Sequence, residues 1–217
     1  TDMPFVLMLD EDENGYKAGR FLRASDLGIK SENGEWKPVI HDAISHRLVV
    51  PNGTMGQRWE EGKQWNLKLE TEDGSKIDPA LSVAEEDYEL QTIQFPYFDS
   101  QGDGIFERPI PTKKVKLADG KEVRIATVYD LMASQYGIKR FGHELEAKSY
   151  EDSESKYTPA WQENVTGIKQ ELVTQVAREF AQNAIDTKGR SMIIMGAGIN
   201  HWLSLIHISE PTRLRRI

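Results

Sequence analysis

Gly189-Arg190-Ser191-Met192-Ile193-Ile194-Met195-Gly196-Ala197-Gly198-Ile199-Asn200-His201-Trp202 is the stretch that decides how this sequence folds. Met192 to Met195 is a short apolar run with the look of a buried strand, and it opens into two glycines one residue apart. Glycines directly after a strand let the backbone approach a ligand closely, as a pyrophosphate requires. A full dinucleotide fingerprint would place a third glycine at position 201, where His201 stands, so a plain turn stays open as the alternative. Asn200, His201 and Trp202 add hydrogen-bonding groups and a stacking surface beyond what a turn needs. Just upstream, Ile168, Leu172, Val173, Val176, Ala177, Phe180, Ala181 and Ala184 recur at helical spacing and form one apolar face. Helix, strand and glycine turn together make half of an α/β unit with a nucleotide-type loop at the strand's carboxyl end.

Working toward the N-terminus, Thr158-Pro159 pairs a capping residue with a first-turn proline and starts a shorter helix. Thr127 to Tyr136 carries Val128, Leu131, Met132 and Gln135 at helical spacing, closed by Gly137 as the residue after the helix. Before it, Ala18 to Ile125 is polar and rich in turn signals: Asn33-Gly34, Asn52-Gly53, Asp73-Gly74 and Asp119-Gly120 are hairpin dipeptides. Arg47 to Pro51, Lys113 to Leu117 and Glu122 to Ala126 have the content of short strands. This middle stretch reads as an irregular, hairpin-rich insertion without a compact core of its own. Phe5 to Leu9 reads as a buried strand ended by the acidic turn from Asp10 to Gly15. The expected organisation is therefore a strand plus insertion over 1–126, a helix-helix-strand part of an α/β domain over 127–202, and a tail over 203–217. The fold class is mixed α/β.

Composition narrows the function classes. Thirty-five acidic against 27 basic side chains give a net charge of -8, which disfavours a nucleic-acid reader with a basic face. The chain has no cysteine, so it holds no disulfide, zinc ribbon or thiolate-held iron–sulfur cluster. No run approaches the roughly 20 apolar residues of a membrane helix, so no direct membrane span is expected. The N-terminus has neither a basic nor an apolar leader region, and the chain opens at Thr1 without an initiator methionine, as a piece of a longer protein would. Asp10 to Gly15 and Asp99 to Gly104 imitate the first half of a calcium loop, but their twelfth positions are Phe21 and Ile110 where a glutamate is needed. They read as turns. His41, His46, His143, His201 and His207 form no two-histidine zinc motif, and neither a serine elbow nor a phosphate loop occurs.

Several segments carry a more specific likeness. Thr1-Asp2-Met3-Pro4-Phe5, Ala18-Gly19-Arg20-Phe21-Leu22-Arg23-Ala24, Val50-Pro51-Asn52-Gly53-Thr54-Met55-Gly56, Arg58-Trp59, Lys63 to Leu67, Phe95-Pro96-Tyr97-Phe98 and Leu117-Ala118-Asp119-Gly120 are among them. The run from Tyr157 to Trp202 is the most distinctive, with Tyr-Thr-Pro-Ala-Trp, Ala177-Arg178-Glu179-Phe180-Ala181 and Gly189 to Ile194 leading into the glycine turn. These segments resemble the alpha subunit of the respiratory, membrane-bound nitrate reductases, molybdopterin oxidoreductases of the dimethyl-sulfoxide-reductase family. The likeness extends over nearly all of Thr1 to Trp202.

That resemblance implies a catalytic subunit carrying molybdenum bis(molybdopterin guanine dinucleotide), with a 4Fe-4S cluster bound outside this segment. It implies reduction of nitrate to nitrite by oxygen-atom transfer. Electrons would come from quinol through an iron–sulfur beta subunit and a membrane haem gamma subunit, at the cytoplasmic face of the bacterial inner membrane. The cofactor does that chemistry while the protein binds and tunes it. By the same resemblance Gly196, Gly198, Asn200, His201 and Trp202 lie against one pterin cofactor, while catalytic residues and metal ligands lie upstream of this chain, leaving it inactive by itself. Two other readings are a sister reductase for selenate or chlorate and a non-catalytic module of the same fold. Leu203 to Ile217 departs abruptly from the family's pattern and reads as translated adapter sequence, with a genuine basic tail as the alternative.

Overall fold

A computed structural model describes residues 3–13, 15–52, 69–85, 87–96 and 105–193. The chain divides into two compact units, Thr1–Gln170 and Glu171–Ile217. Among the described residues the first holds seven strands, β1 (Val6–Asp12), β2 (Gly15–Phe21), β3 (Ile40–Asp42), β4 (Arg47–Val49), β5 (Glu89–Pro96), β6 (Ile105–Lys116) and β7 (Glu122–Thr127), then helices α1 (Val128–Gln135) and α2 (Pro159–Thr166). Helix α3 (Gln170–Asp186) leads into the second unit. Among the described residues no helix is long and apolar enough to cross a membrane.

Five strands close into a barrel in the order β1-β2-β5-β6-β7, and β3 and β4 form a separate two-stranded ribbon. The strand expected at Phe5 to Leu9 runs on to Asp12, so the acidic residues form the end of a hairpin with β2 and not a turn after the strand. Gly19 stands opposite the register shift between Leu7 and Leu9 in this hairpin. A Cβ there would come within 2.8 Å of the Met8 carbonyl oxygen, so the close approach of the two strands needs glycine. Strand β6 contains Pro109 and Pro111, residues that a central strand rejects because proline donates no hydrogen bond. They are tolerated because β6 changes neighbours along its length: Ile105 to Thr112 pair with β5, whereas Lys113 to Lys116 pair with β7. Each proline therefore sits where only one flank is paired. The Asp119-Gly120 signal is borne out as the β6–β7 turn, with Gly120 at φ 88 and the Leu117 N–H donating to the Lys121 carbonyl at 2.8 Å.

The middle stretch packs into buried clusters that it shares with β1 and α1. Val6, Met8, Leu22, Ala24, Val39, Val50 and Ile125 form one buried cluster, and Leu9, Ile93, Phe95, Ile110, Ala126 and Leu131 form another. The pleat of β1 feeds both, since Val6 and Met8 face the first while Leu9 faces the second. Buried residues arrive singly on short strands between turns, which is why no periodic run announces them.

Candidate functional site

The approach to the glycine turn is built from the end of α3. Lys188 takes the left-handed conformation at φ 56, and its N–H donates to the Ile185 carbonyl at 3.3 Å. Gly189 follows at φ 91 and donates to the Ala184 carbonyl at 2.7 Å. These are the two bonds of a glycine-type helix stop, here with lysine in the position glycine normally fills. Thr187 Oγ1 donates to the Asn183 carbonyl at 2.5 Å and accepts the Arg190 N–H at 3.2 Å. Ser191 Oγ accepts from Asn183 Nδ2 at 2.7 Å and donates to the Phe180 carbonyl at 3.0 Å. Residues 187–191 are thus tied back onto the last turns of the helix, which fixes the direction in which the chain leaves it.

Met192 and Ile193, expected in a buried strand, are instead 76% exposed and belong to no strand. An apolar run becomes a buried strand only beside neighbours that pair with it, and the described residues of this unit include none. The rest of that run, Ile194 and Met195, lies outside the described residues. So do the five candidate cofactor-binding residues, Gly196, Gly198, Asn200, His201 and Trp202, and the tail from Leu203 to Ile217. The apolar stripe of α3 forms as the spacing requires, yet Leu172, Val176 and Phe180 on it are exposed.

In the first unit, the Tyr-Thr-Pro-Ala-Trp segment behaves as its residues dictate. Thr158 Oγ1 accepts the Trp161 N–H at 3.1 Å and Pro159 opens α2. Tyr157 adopts φ 70, a conformation uncommon for a bulky residue. In it the ring sits 5.4 Å from Trp161, 5.6 Å from Tyr136 and 6.0 Å from Phe106, centroid to centroid. Aromatic stacking of this kind offsets about 0.5–1.5 kcal/mol per pair.

Two carboxylates that the sequence reading passed over organise this region. Asp130 is fully buried on α1. Its Oδ1 accepts from Ser82 Oγ at 2.6 Å and from Arg140 Nη1 at 2.8 Å, and its Oδ2 accepts the Val83 N–H at 2.9 Å. Thr127 caps the same helix by accepting the Asp130 N–H at 3.0 Å and donates to the Leu81 carbonyl at 2.7 Å. Barrel end, helix start and the 81–83 turn are therefore held at one point. Glu146 fills a backbone nest: its two oxygens accept N–H groups from Arg140, Phe141, Gly142 and His143 at 2.8–3.1 Å. Thr127-Val128-Tyr129-Asp130 is a Thr-x-x-acid pattern that could have pointed to Asp130. No local signal marks Glu146, because its partners precede it in an irregular loop.

The third carboxylate of this kind is Asp42, on β3. It accepts from the Asp78 N–H at 2.7 Å and from the Ser45 hydroxyl and N–H, at 2.5 and 2.8 Å. Burial pushes its carboxyl up, but the bonds from Ser45 and the backbone outweigh that and hold it below the usual range. All three are structural anchors, each saturated with donors. Among the described residues no group of three histidine, cysteine, aspartate or glutamate side chains could hold a metal ion.

No family model matches the chain. Relatives do. It is 49% identical over 94% of its length to the nitrate reductase alpha chain of Bacillus subtilis, and 40% identical over 94% to the respiratory nitrate reductase 1 alpha chain of Escherichia coli. The perchlorate reductase subunit alpha of Dechloromonas aromatica is further off, 24% identical over 93% of this chain. The chain spans 16% of the Bacillus subtilis protein and 17% of the Escherichia coli protein.

Proposed function

We propose that this chain, 49% and 40% identical over 94% of its length to two nitrate reductase alpha chains, belongs to that family and is part of a catalytic subunit that reduces nitrate to nitrite in anaerobic respiration. The observation that carries this reading is the contrast between 49% identity to a nitrate reductase alpha chain and 24% to a perchlorate reductase subunit. That contrast favours nitrate over selenate or chlorate as the oxyanion. The reach of the match, 94% of the chain, also weighs against a non-catalytic module.

The cofactor of the proposed subunit is molybdenum bis(molybdopterin guanine dinucleotide), which supplies two-electron oxygen-atom transfer when bound. The donor set of residues 196–202 fits one of its pterins by chemistry. Gly196 and Gly198 offer backbone N–H groups without a Cβ in the way, Asn200 and His201 offer amide and imidazole hydrogen bonds, and Trp202 offers a flat face. These residues bind and orient. With no cysteine in the sequence, a thiolate-held 4Fe-4S cluster would be bound outside this segment, and on this reading the molybdenum ligand lies outside it as well. The partners are an iron–sulfur beta subunit and a haem-bearing gamma subunit in the membrane. The chain itself would sit peripherally, on the cytoplasmic face.

The test is to purify the longer parent with Gly198→Val beside the unchanged protein and measure bound molybdenum and guanine nucleotide. Loss of both from the variant, with the subunit still folded, supports the assignment. Full retention sinks it.

A further inference from the structure

Two sets of bonds act on the chain where it leaves α3, and only one of them belongs to an ordinary helix stop. The backbone bonds at Lys188 and Gly189 end the helix. Side-chain bonds then hold the next residues back. Ser191 Oγ reaches two earlier turns at once. It accepts from Asn183 Nδ2 at 2.7 Å, eight residues upstream, and donates to the Phe180 carbonyl at 3.0 Å, eleven upstream. Thr187 Oγ1 joins the same group, bonding the Asn183 carbonyl at 2.5 Å and the Arg190 N–H at 3.2 Å. Asn183 is thus engaged twice, by Ser191 through its side chain and by Thr187 through its backbone. All of these residues lie within the second unit.

A helix stop does not need this clasp. Once the Lys188 and Gly189 N–H groups are bonded, water can serve the remaining polar groups of an exposed helix end. Short polar side chains that bond back to the backbone restrict the residues around them. A hydroxyl that both accepts and donates is held in one orientation, and it holds its own backbone with it. Met192 and Ile193, which follow Ser191, are 76% exposed and belong to no strand. Five residue steps separate Ser191 from Gly196, and five steps of extended chain span at most roughly 18 Å. Where Ser191 is held therefore bounds where the glycine turn can reach.

We propose, on the reading of residues 196–202 as a cofactor-binding loop, that Ser191 and Asn183 are positioning residues for that loop. Their clasp fixes the point from which the chain runs to the pterin, before the cofactor arrives. A loop anchored in advance has less freedom to lose on binding, so the cofactor is held longer. Ser191 acts through the chain that follows it. Threonine can supply the same hydroxyl at this position, and alanine supplies none.

The test uses the parent complex with its cofactor, purified with Ser191→Ala, Ser191→Thr, Asn183→Leu or Gly198→Val beside the unchanged protein. Guanine nucleotide retained per folded alpha subunit is followed over time after dilution. Ser191→Ala is expected to lose nucleotide about tenfold faster, the scale of one or two lost hydrogen bonds. Asn183→Leu, which keeps the bond to the Phe180 carbonyl, accelerates the loss less, and Ser191→Thr restores the original rate. A merely structural role would lower the yield of folded subunit and leave the rate per folded subunit unchanged. An unchanged rate in Ser191→Ala overturns the proposal, as does a faster loss that Ser191→Thr fails to correct. Gly198→Val separates the two claims. If it strips the nucleotide while Ser191→Ala keeps it, the positioning role alone falls; if both keep it, the cofactor reading of residues 196–202 falls as well.

Discussion

Asp130→Ala tests whether the point joining barrel, α1 and the 81–83 turn is what holds the first unit together. The carboxylate is fully buried and is met by the Ser82 hydroxyl, the Val83 N–H, the Arg140 guanidinium and the Thr127 hydroxyl. Truncation leaves the Val83 N–H without its acceptor, a loss of about 1–3 kcal/mol for a buried group. It also strands Arg140, whose side chain is only 15% exposed. Breaking a buried pair from one side costs about 3–5 kcal/mol. The two losses overlap because they share one cavity, so the total expected is about 3–5 kcal/mol and not their sum. The assay is urea denaturation of the 217-residue chain followed by far-ultraviolet circular dichroism. Asp130→Asn keeps the volume and one acceptor and falls between the two proteins. Arg140→Met added to Asp130→Ala recovers part of the loss, since no charge is then left buried. A loss below about 1 kcal/mol for Asp130→Ala, the value of an exposed pair, refutes this reasoning.

Other expectations follow from single positions. Lys188→Gly relieves the left-handed lysine after α3 and stabilises that helix end by about 1 kcal/mol, read as slower amide exchange at Lys188 and Gly189. Gly19→Ala drives a methyl against the Met8 carbonyl oxygen and costs about 1–3 kcal/mol in the same urea assay. The carboxyl of Asp26 is held below the usual range first by the Arg20 guanidinium, which meets both its oxygens at 2.7 Å, against the opposing pull of burial. A depressed folded-state value means the contribution is full above about pH 4 and is lost as pH falls through that folded value. Asp26→Asn therefore flattens the acid side of the stability–pH curve and leaves its alkaline side unchanged, checked by denaturation at a series of pH values.

Local physics was legible in the sequence and long-range pairing was not. Thr158-Pro159 and Thr127 start helices, and Gly137 at φ 67 stops one, because capping depends on residues within a single turn. The β6–β7 hairpin announced itself through Asp119-Gly120 for the same reason. The barrel did not, since its closure depends on Tyr16 of β2 lying parallel to Ile93 of β5, a pairing that no local pattern encodes. The nest of Glu146 is local, yet its donors are main-chain N–H groups of an irregular loop, which no side-chain pattern marks. At the glycine turn the residue types were readable, whereas Met192 and Ile193 show that an apolar run is a strand only when neighbours complete its sheet.

The central claim, that this chain is part of a nitrate-reducing subunit, is tested most directly by nitrite formation. The full-length parent gene with its partner subunits is expressed in a strain lacking nitrate reductases, and nitrite is measured in membranes supplied with quinol and nitrate. Nitrite produced at a rate well above that from chlorate or selenate reduction is the expected result. Membranes that contain the molybdenum-loaded subunit yet form no nitrite contradict the claim.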